Sequence, residues 1–241
     1  MKIVLFFKRL FFPGLDLHTR CRYRFLPRYF RTGPIYTLDA GCGNGALPYA
    51  AYKRGNFVLG ITKNPEEVRK ASALFSAQCV DSRRLHFKVL DLYDLSELGH
   101  RFDQIICSET LEHIKRDDII IKHFYDLLRP GGMLHLCCPY AKHPAHHINR
   151  IDQPENGGHV RDGYTLDAYK SLLEPIGFKI IHSTGLGSPL LVYLDNIIRW
   201  IRNTRGGDIA ALLPFLLTLP LQRLDFPDPP VPFSLYVQAI K

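Results

Sequence analysis

Two stretches of this sequence combine residue types and spacings that can do chemistry. Leu38-Asp39-Ala40-Gly41-Cys42-Gly43-Asn44-Gly45-Ala46 places three glycines two apart behind a carboxylate, at a position where an apolar strand gives way to a helix. Such glycines let a ligand approach the backbone and expose the amides of a helix N-terminus, the usual cradle for a nucleotide-type cofactor. Read as G-x-G-x-x-A from Gly41, the loop could hold a dinucleotide, but Asp39 would repel a pyrophosphate and instead suits an ammonium group. The second stretch, Glu109-Thr110-Leu111-Glu112-His113, has the spacing E-x-x-E-H. On a helix all three polar side chains share one face, where two carboxylates and an imidazole could hold a divalent cation. His113 alone could act as a general base near neutral pH, or be a helix-start histidine bonded to backbone.

A third concentration of polar chemistry lies in residues 140–163, with His143, His146, His147 and His159. These histidines could supply a ligand or a base, or belong to a solvated substrate loop.

The elements that must position these residues alternate strand and helix from residue 35 onward, which implies a parallel sheet covered on both faces. Strands are predicted at 35–39, 57–61, 85–90, 102–107, 133–138, 178–183 and 233–240. Helices are predicted at 46–54, at 117–128, from the Thr165 cap to about 175, and after Asn64-Pro65, with Glu67 placed for a capping box. Arg129-Pro130-Gly131-Gly132 reads as a turn before the fifth strand. Residues 184–231 form an insertion before the last strand, with an amphipathic helix (190, 193, 194, 197, 198, 201) followed by the apolar run Ile209 to Leu221. The insertion emerges at the sheet edge that carries the glycine loop, and is expected to cap an acceptor pocket.

Taken in order, these features resemble the class I S-adenosylmethionine-dependent methyltransferases. D-x-G-x-G-x-G resembles the family's first motif, Asp91 in Val89-Leu90-Asp91-Leu92 its adenine-contacting acid, and Phe102 to His113 its fourth strand and following loop. Leu128 to Gly132 and Glu174 to Phe178 resemble its later turns. The resemblance spans about residues 35–183 plus the last strand. It implies an α/β, Rossmann-like seven-stranded sheet with helices on both faces, an S-adenosylmethionine cofactor, and cofactor contacts from Asp39, Gly41, Gly43, Gly45, Thr62, Asp91, Leu92 and Ser108. One departure stands out: Thr62 occupies the end of strand two, where the family usually has an acid for the ribose hydroxyls. Members resembling cyclopropane-fatty-acid synthases carry a similar Gly-x-Thr. The E-x-x-E-H string resembles metal ligands of ubiquinone-pathway O-methyltransferases and of small-RNA 2′-O-methyltransferases, which assigns Glu109, Glu112 and His113 to a divalent metal and leaves His113 as the alternative base.

Composition bounds the rest. With 46% hydrophobic and 22% charged residues in 241, the chain is of ordinary globular type. Six cysteines without a C-x-x-C pair, mostly in apolar runs, read as reduced buried thiols rather than a disulfide frame or zinc site. The formal charge is +8, and eight Lys or Arg against Asp16 give residues 1–31 a charge of +7. Mixed with Phe6, Phe7, Leu10, Phe11 and Phe12, that charge suits either peripheral contact with an anionic membrane surface or a solvated lid helix. The N-terminus makes a poor signal peptide, and the 13-residue run at 209–221 is short of the roughly 20 a spanning helix needs. The expected organisation is a basic arm at 1–34 and a catalytic domain at 35–241, cytoplasmic or peripheral on a membrane. The expected activity is O-methylation of a small or lipid-linked acceptor; RNA ribose methylation, or binding without turnover, are the alternatives. No recognisable RNA-binding module accompanies the basic arm, so a nucleic-acid partner is not expected.

Overall fold

A computed structural model describes residues 11–146, 155, 157–205 and 207–241. Phe6, Phe7, Leu10 and His147 lie outside the described residues. In chain order the elements are α1 (Leu17–Phe25), β1 (Tyr36–Ala40), α2 (Ala46–Lys53), β2 (Phe57–Thr62), α3 (Pro65–Ser76), β3 (Leu85–Val89), β4 (Phe102–Ser108), α4 (Asp117–Leu127), β5 (Leu128–Pro139), α5 (Leu166–Leu173), β6 (Lys179–Leu186), α6 (Pro189–Arg205), α7 (Gly207–Thr218) and β7 (Ser234–Ile240). The seven strands form one sheet in the order β3-β2-β1-β4-β5-β7-β6, with β7 antiparallel to both neighbours. Helices cover both faces, and α6 and α7 form the insertion between the last two strands.

The period-two alternation of the strands divides the core. Leu38, Ala40, Leu59, Ile61, Ile105, Cys107, Leu134, Leu136 and Val237 point to the face shared with α4 and α5. Val58, Ile106, Cys137 and Tyr236 point to the other, against α1, α2, α3, α6 and α7. Both faces are buried, which is why the strands read as nearly continuous apolar runs. Five of the six cysteines are buried, and all six are free thiols.

The strand order reverses between β1 and β4, the position where open α/β sheets bind ligands. Two local readings change. The turn Arg129 to Gly132 lies inside β5, because Leu128 pairs with Phe102 before the ladder slips to Gln104↔Met133. Gly131, at φ +71°, absorbs the bulge. Residues 17–30 are also no free arm: Leu17, Cys21, Phe25, Leu26 and Phe30 are buried in the second core.

Candidate active site

The glycine loop follows from its backbone. Gly41 and Cys42 both donate their amides to the Ile61 carbonyl at 2.9 Å, which folds the chain back over the end of β2. Gly41 has φ +85°, and a Cβ there would lie 2.2 Å from the Thr110 hydroxyl, so only glycine fits. At Gly43, φ is +48° and a Cβ would meet no protein atom within 4 Å. That side of the loop is open to a ligand. Asn44 accepts from the Ala46 amide at 3.0 Å and donates to the Pro13 carbonyl at 2.8 Å, joining the loop to the N-terminal segment.

A cavity of about 270 Å³ opens on this loop, lined by Asp39, Gly41, Gly43, Asn44, Ser108, Glu109, Thr19 and Arg22 among others. Asp39 is only 2% exposed, and burial pushes its carboxyl up to about 8. A ligand ammonium would draw that group back to its ionised form. Thr19 and Arg22 come from α1, so the basic segment is a lid over this cavity. Asp16 caps α1 through the Thr19 amide at 2.6 Å, the Leu17 amide donates to Asp195 at 3.0 Å, and Arg199 pairs with Asp16 at 3.1 Å. Phe12 packs edge-on against Tyr23, Tyr49 and Phe75, and Arg20 donates to the carbonyls of Phe11, Phe12 and Gly14. These groups, expected to face a membrane, are turned into the protein; Arg24 and Arg28 remain exposed.

At the end of β2, where the family usually carries an acid, the carboxylate of Glu67 from α3 stands beside Thr62. Glu67 does not close a capping box. Its carboxylate accepts from the Thr62 hydroxyl at 2.8 Å, while that hydroxyl accepts from the Asn64 amide at 3.2 Å. Glu67 also lines a second, larger cavity beside Gly43. The five-residue separation from Thr62, one strand end plus one helical turn, was the available signal. Asp91 accepts from the Tyr93 amide at 3.1 Å and starts a 3₁₀ turn whose first residue, Leu92, is buried. Neither residue lines the two cavities.

The E-x-x-E-H segment is not one helix. Glu109 sits at φ +51°, a strained conformation for a residue with a side chain, and only Leu111–His113 form a 3₁₀ turn. Glu109 therefore departs from the other two. It faces Arg22 at 3.5 Å and accepts from the Ser234 hydroxyl at 3.2 Å. Despite burial, which works against it, the Arg22 guanidinium is held charged by Glu109.

Glu112 is 0% exposed, and neither carboxylate oxygen has a hydrogen-bond partner among the described residues. Burial, together with the charge of Glu109, pushes it well above the ordinary carboxylate range. His113 Nε2 lies 3.7 Å from Glu112 Oε1, and its Nδ1 bonds the Gly158 carbonyl at 3.0 Å. That second bond fixes the tautomer and leaves the Nε2 lone pair available. His159 completes the group: one ligand atom each from Glu112, His113 and His159 lie within 4.8 Å of one another. Burial, and then the neighbouring His113, push His159 below its ordinary value, which favours the neutral, metal-ligating form.

His159 is brought in by a clamp. Its neighbour Val160 donates to the Glu112 carbonyl at 2.8 Å, and Arg161 reaches Asp117 and the Ile114 carbonyl. His143 and His146 are structural instead. Both are buried against Phe233, and His146 bonds its carbonyl at 2.9 Å. The solvated-loop reading thus gives way to a packed segment at these positions.

The larger cavity, about 840 Å³, lies between residues 11–19, α3 and the α6–α7 hairpin. Its walls are mainly apolar (Phe11, Phe12, Leu15, Leu74, Ile209, Leu212), and it meets the smaller cavity at Thr19, Gly43 and Asn44.

A family model described as a methyltransferase domain matches residues 35–172, more than half of the chain. The mitochondrial ubiquinone biosynthesis O-methyltransferase of Mus musculus is 28% identical over 157 residues, covering 62% of this chain and 42% of that protein. The ubiquinone biosynthesis O-methyltransferase of Coxiella burnetii is 29% identical over 120 residues, half of each chain. The chain thus spans about half the length of the curated relatives it matches. Among solved structures, a methyltransferase from Archaeoglobus fulgidus superposes with TM-score 0.63 at 16% identity over 98% of both chains. One from Mesorhizobium loti gives 0.59 at 19% identity, over 92% of this chain and 98% of that one. These structural likenesses show the fold alone. The family match, the reversal point of the sheet and the glycine cradle agree: the chain belongs to the class I S-adenosylmethionine-dependent methyltransferases.

Proposed function

We propose that the protein methylates an oxygen atom of a small, lipid-linked acceptor, with a divalent cation held by Glu112, His113 and His159. The observation that carries the cation is Glu112, a fully buried carboxylate with no hydrogen-bond partner among the described residues and two imidazoles at ligand distance. A carboxyl in that state resists ionising unless a cation offsets its charge, and a cation there would also use the free His113 lone pair. The apolar walls of the larger cavity and the similarity to ubiquinone biosynthesis O-methyltransferases support the lipid-linked acceptor.

In this reading Asp39 accepts the cofactor's ammonium and the Gly41–Gly45 loop lies along its amino-acid end, with the close approach at Gly43. Glu67 and Thr62 hold the ribose hydroxyls, Asp91 accepts from the adenine amino group with Leu92 against the base, and Ser108 flanks the reacting end. Arg22 and Glu109 close the lid side, excluding water. Bound S-adenosylmethionine supplies an electrophilic methyl group, so the protein's main task is alignment of the acceptor, which can account for about 7 to 11 kcal/mol of barrier. The cation would lower the pKa of an acceptor hydroxyl. His113 has one available nitrogen, so it either ligates the cation or takes the acceptor's proton, not both.

Methyl transfer from labelled S-adenosylmethionine to a catechol with and without a polyprenyl chain, after chelation and after Mg²⁺, Mn²⁺ or Zn²⁺ is restored, tests the proposal. The expected result is a preference for the chain-bearing catechol and recovery of turnover with one of the ions. Equal rates on both catechols overturn the lipid-linked acceptor. Full activity in chelator, with Glu112→Gln unimpaired, overturns the cation and leaves His113 as the base.

A further inference from the structure

Helix α7 is apolar around nearly its whole circumference, yet the described residues cover only one side of it. Ala211, Phe215 and Thr218 are buried. On the opposite side Ile209 is 88%, Leu213 66% and Leu217 67% exposed, and the following turn continues the strip with Leu224 at 63% and Phe226 at 51%. An apolar helix side of this kind is stable in water only at a cost, and a contiguous exposed patch marks an interaction surface.

The charge around the strip identifies the occupant. Arg223 is exposed within the turn itself, and α1 lays the exposed Arg24 against it, donating to the Gln222 carbonyl. Of the nearby acids, Asp225 is buried, accepting from Cys21 and from the Ser188 amide, and Asp208 and Asp228 lie at either end of the strip. An apolar strip with a basic flank matches an anionic bilayer interface rather than a second apolar protein face. With 12 residues and an internal Pro214, α7 is about 18 Å long, too short to cross a bilayer of about 30 Å, so it would lie in the interface plane.

The larger cavity supplies the purpose. It is lined by Ile209 and Leu212 of the same helix and runs to Gly43 and Asn44 on the glycine loop. We propose that the exposed side of α7 and the turn to Phe226 dock the protein on anionic membrane surfaces, so that an acceptor with an apolar chain passes from the bilayer along α7 toward the methyl donor. The purpose rests on the lipid-linked acceptor proposed above; the docking surface is tested without it.

Flotation with vesicles of phosphatidylcholine alone, or with about a third phosphatidylglycerol, is the test, run on the full chain at low and high salt. Wild type is expected to float with the anionic vesicles and several-fold less at high salt. The double variant Leu213→Glu/Leu217→Glu, which touches neither cavity, should lose at least tenfold in partitioning and bind S-adenosylmethionine calorimetrically as wild type does. Arg24→Glu/Arg223→Glu should lose roughly tenfold on anionic vesicles only. The proposal fails if wild type does not float, or if the leucine variant floats as well as wild type. In the latter case removal of residues 1–10 shows whether that segment binds instead. It fails equally if the leucine variant converts a dimer to a monomer and neither form floats. Absence of cofactor heat in both proteins, with wild type floating and the leucine variant not, would overturn the donor-site assignments and spare the docking surface.

Discussion

The two cavities share Thr19, Gly43 and Asn44 as walls but are built on different principles. The smaller one is made of strand ends. Asp39, Gly41 and Ser108 stand where β1 and β4 leave the sheet, and parallel ladders to both neighbours of β1 fix their backbones. The larger one is made of helix sides: the N-terminal segment, α3 and the α6–α7 hairpin, held together by Asp16–Arg199, Leu17–Asp195 and Cys21–Asp225 across some 180 to 200 residues of chain. The first has the larger polar share of lining and is set by the strand ladders, which suits a cofactor that is the same in every turnover. The second is apolar and assembled from the insertion, the part of the fold free to suit a particular acceptor.

That division can be broken at the shared wall first. Gly43→Val should cost about a hundredfold or more in S-adenosylmethionine affinity in a protein that still folds, because a β-branched residue resists φ +48° and its side chain enters the ligand's space. Near-normal affinity by calorimetry would show that the donor does not lie on this loop.

Asp39 sharpens the electrostatics of the smaller cavity. Its carboxyl is raised by burial to about 8, so in the cofactor-free protein it is largely protonated at neutral pH. Unfolding exposes it to water, where it ionises near pH 4, so its contribution to stability is full below about 4 and is lost as pH rises toward 8. An ammonium ligand reverses the preference. Affinity should therefore climb with pH toward about 8, at most tenfold per unit, with a proton released on binding. Asp39→Asn should flatten that slope and stabilise the empty protein at pH 7. An equally steep slope in the variant would place the titrating group elsewhere.

Glu67 tests whether helix and strand ends cooperate. Glu67→Ala should weaken cofactor binding by about tenfold, the effect of losing hydrogen bonds to a charged acceptor, and Glu67→Gln by less. Unchanged affinity in both would return Glu67 to a purely local bond with Thr62. The smallest effect is expected at the seam of the larger cavity. Asp16→Ala removes the α1 cap and the Arg199 partner, costing about 1 kcal/mol, or about 2 to 4 °C in Tm. If the lid reading holds, cofactor affinity should fall more than stability does, as Thr19 and Arg22 lose their anchor.

The strand and helix order, the glycine loop and its donor were legible in the sequence because they depend on neighbours. Apolar periodicity, the Asn64-Pro65 start and three glycines two apart act within a few residues, where backbone sterics decide the outcome. The sequence also held the carboxylate and both imidazoles of the second site, but not their grouping. E-x-x-E-H implies one helical side only if the segment is helical, and the positive φ at Glu109 turned that residue to Arg22 while Glu112 and His113 met His159, 46 residues later. Likewise a basic, aromatic segment looks the same in composition whether its rings face lipid or protein. Among the described residues, the packing of Phe12 against Tyr23, Tyr49 and Phe75 turns residues 11–30 inward and leaves the exposed apolar surface to α7. Local propensity reaches about one turn or one strand along the chain. Which distant side chains share a buried site is decided by how the layers close over the sheet, and that information is spread over the whole chain.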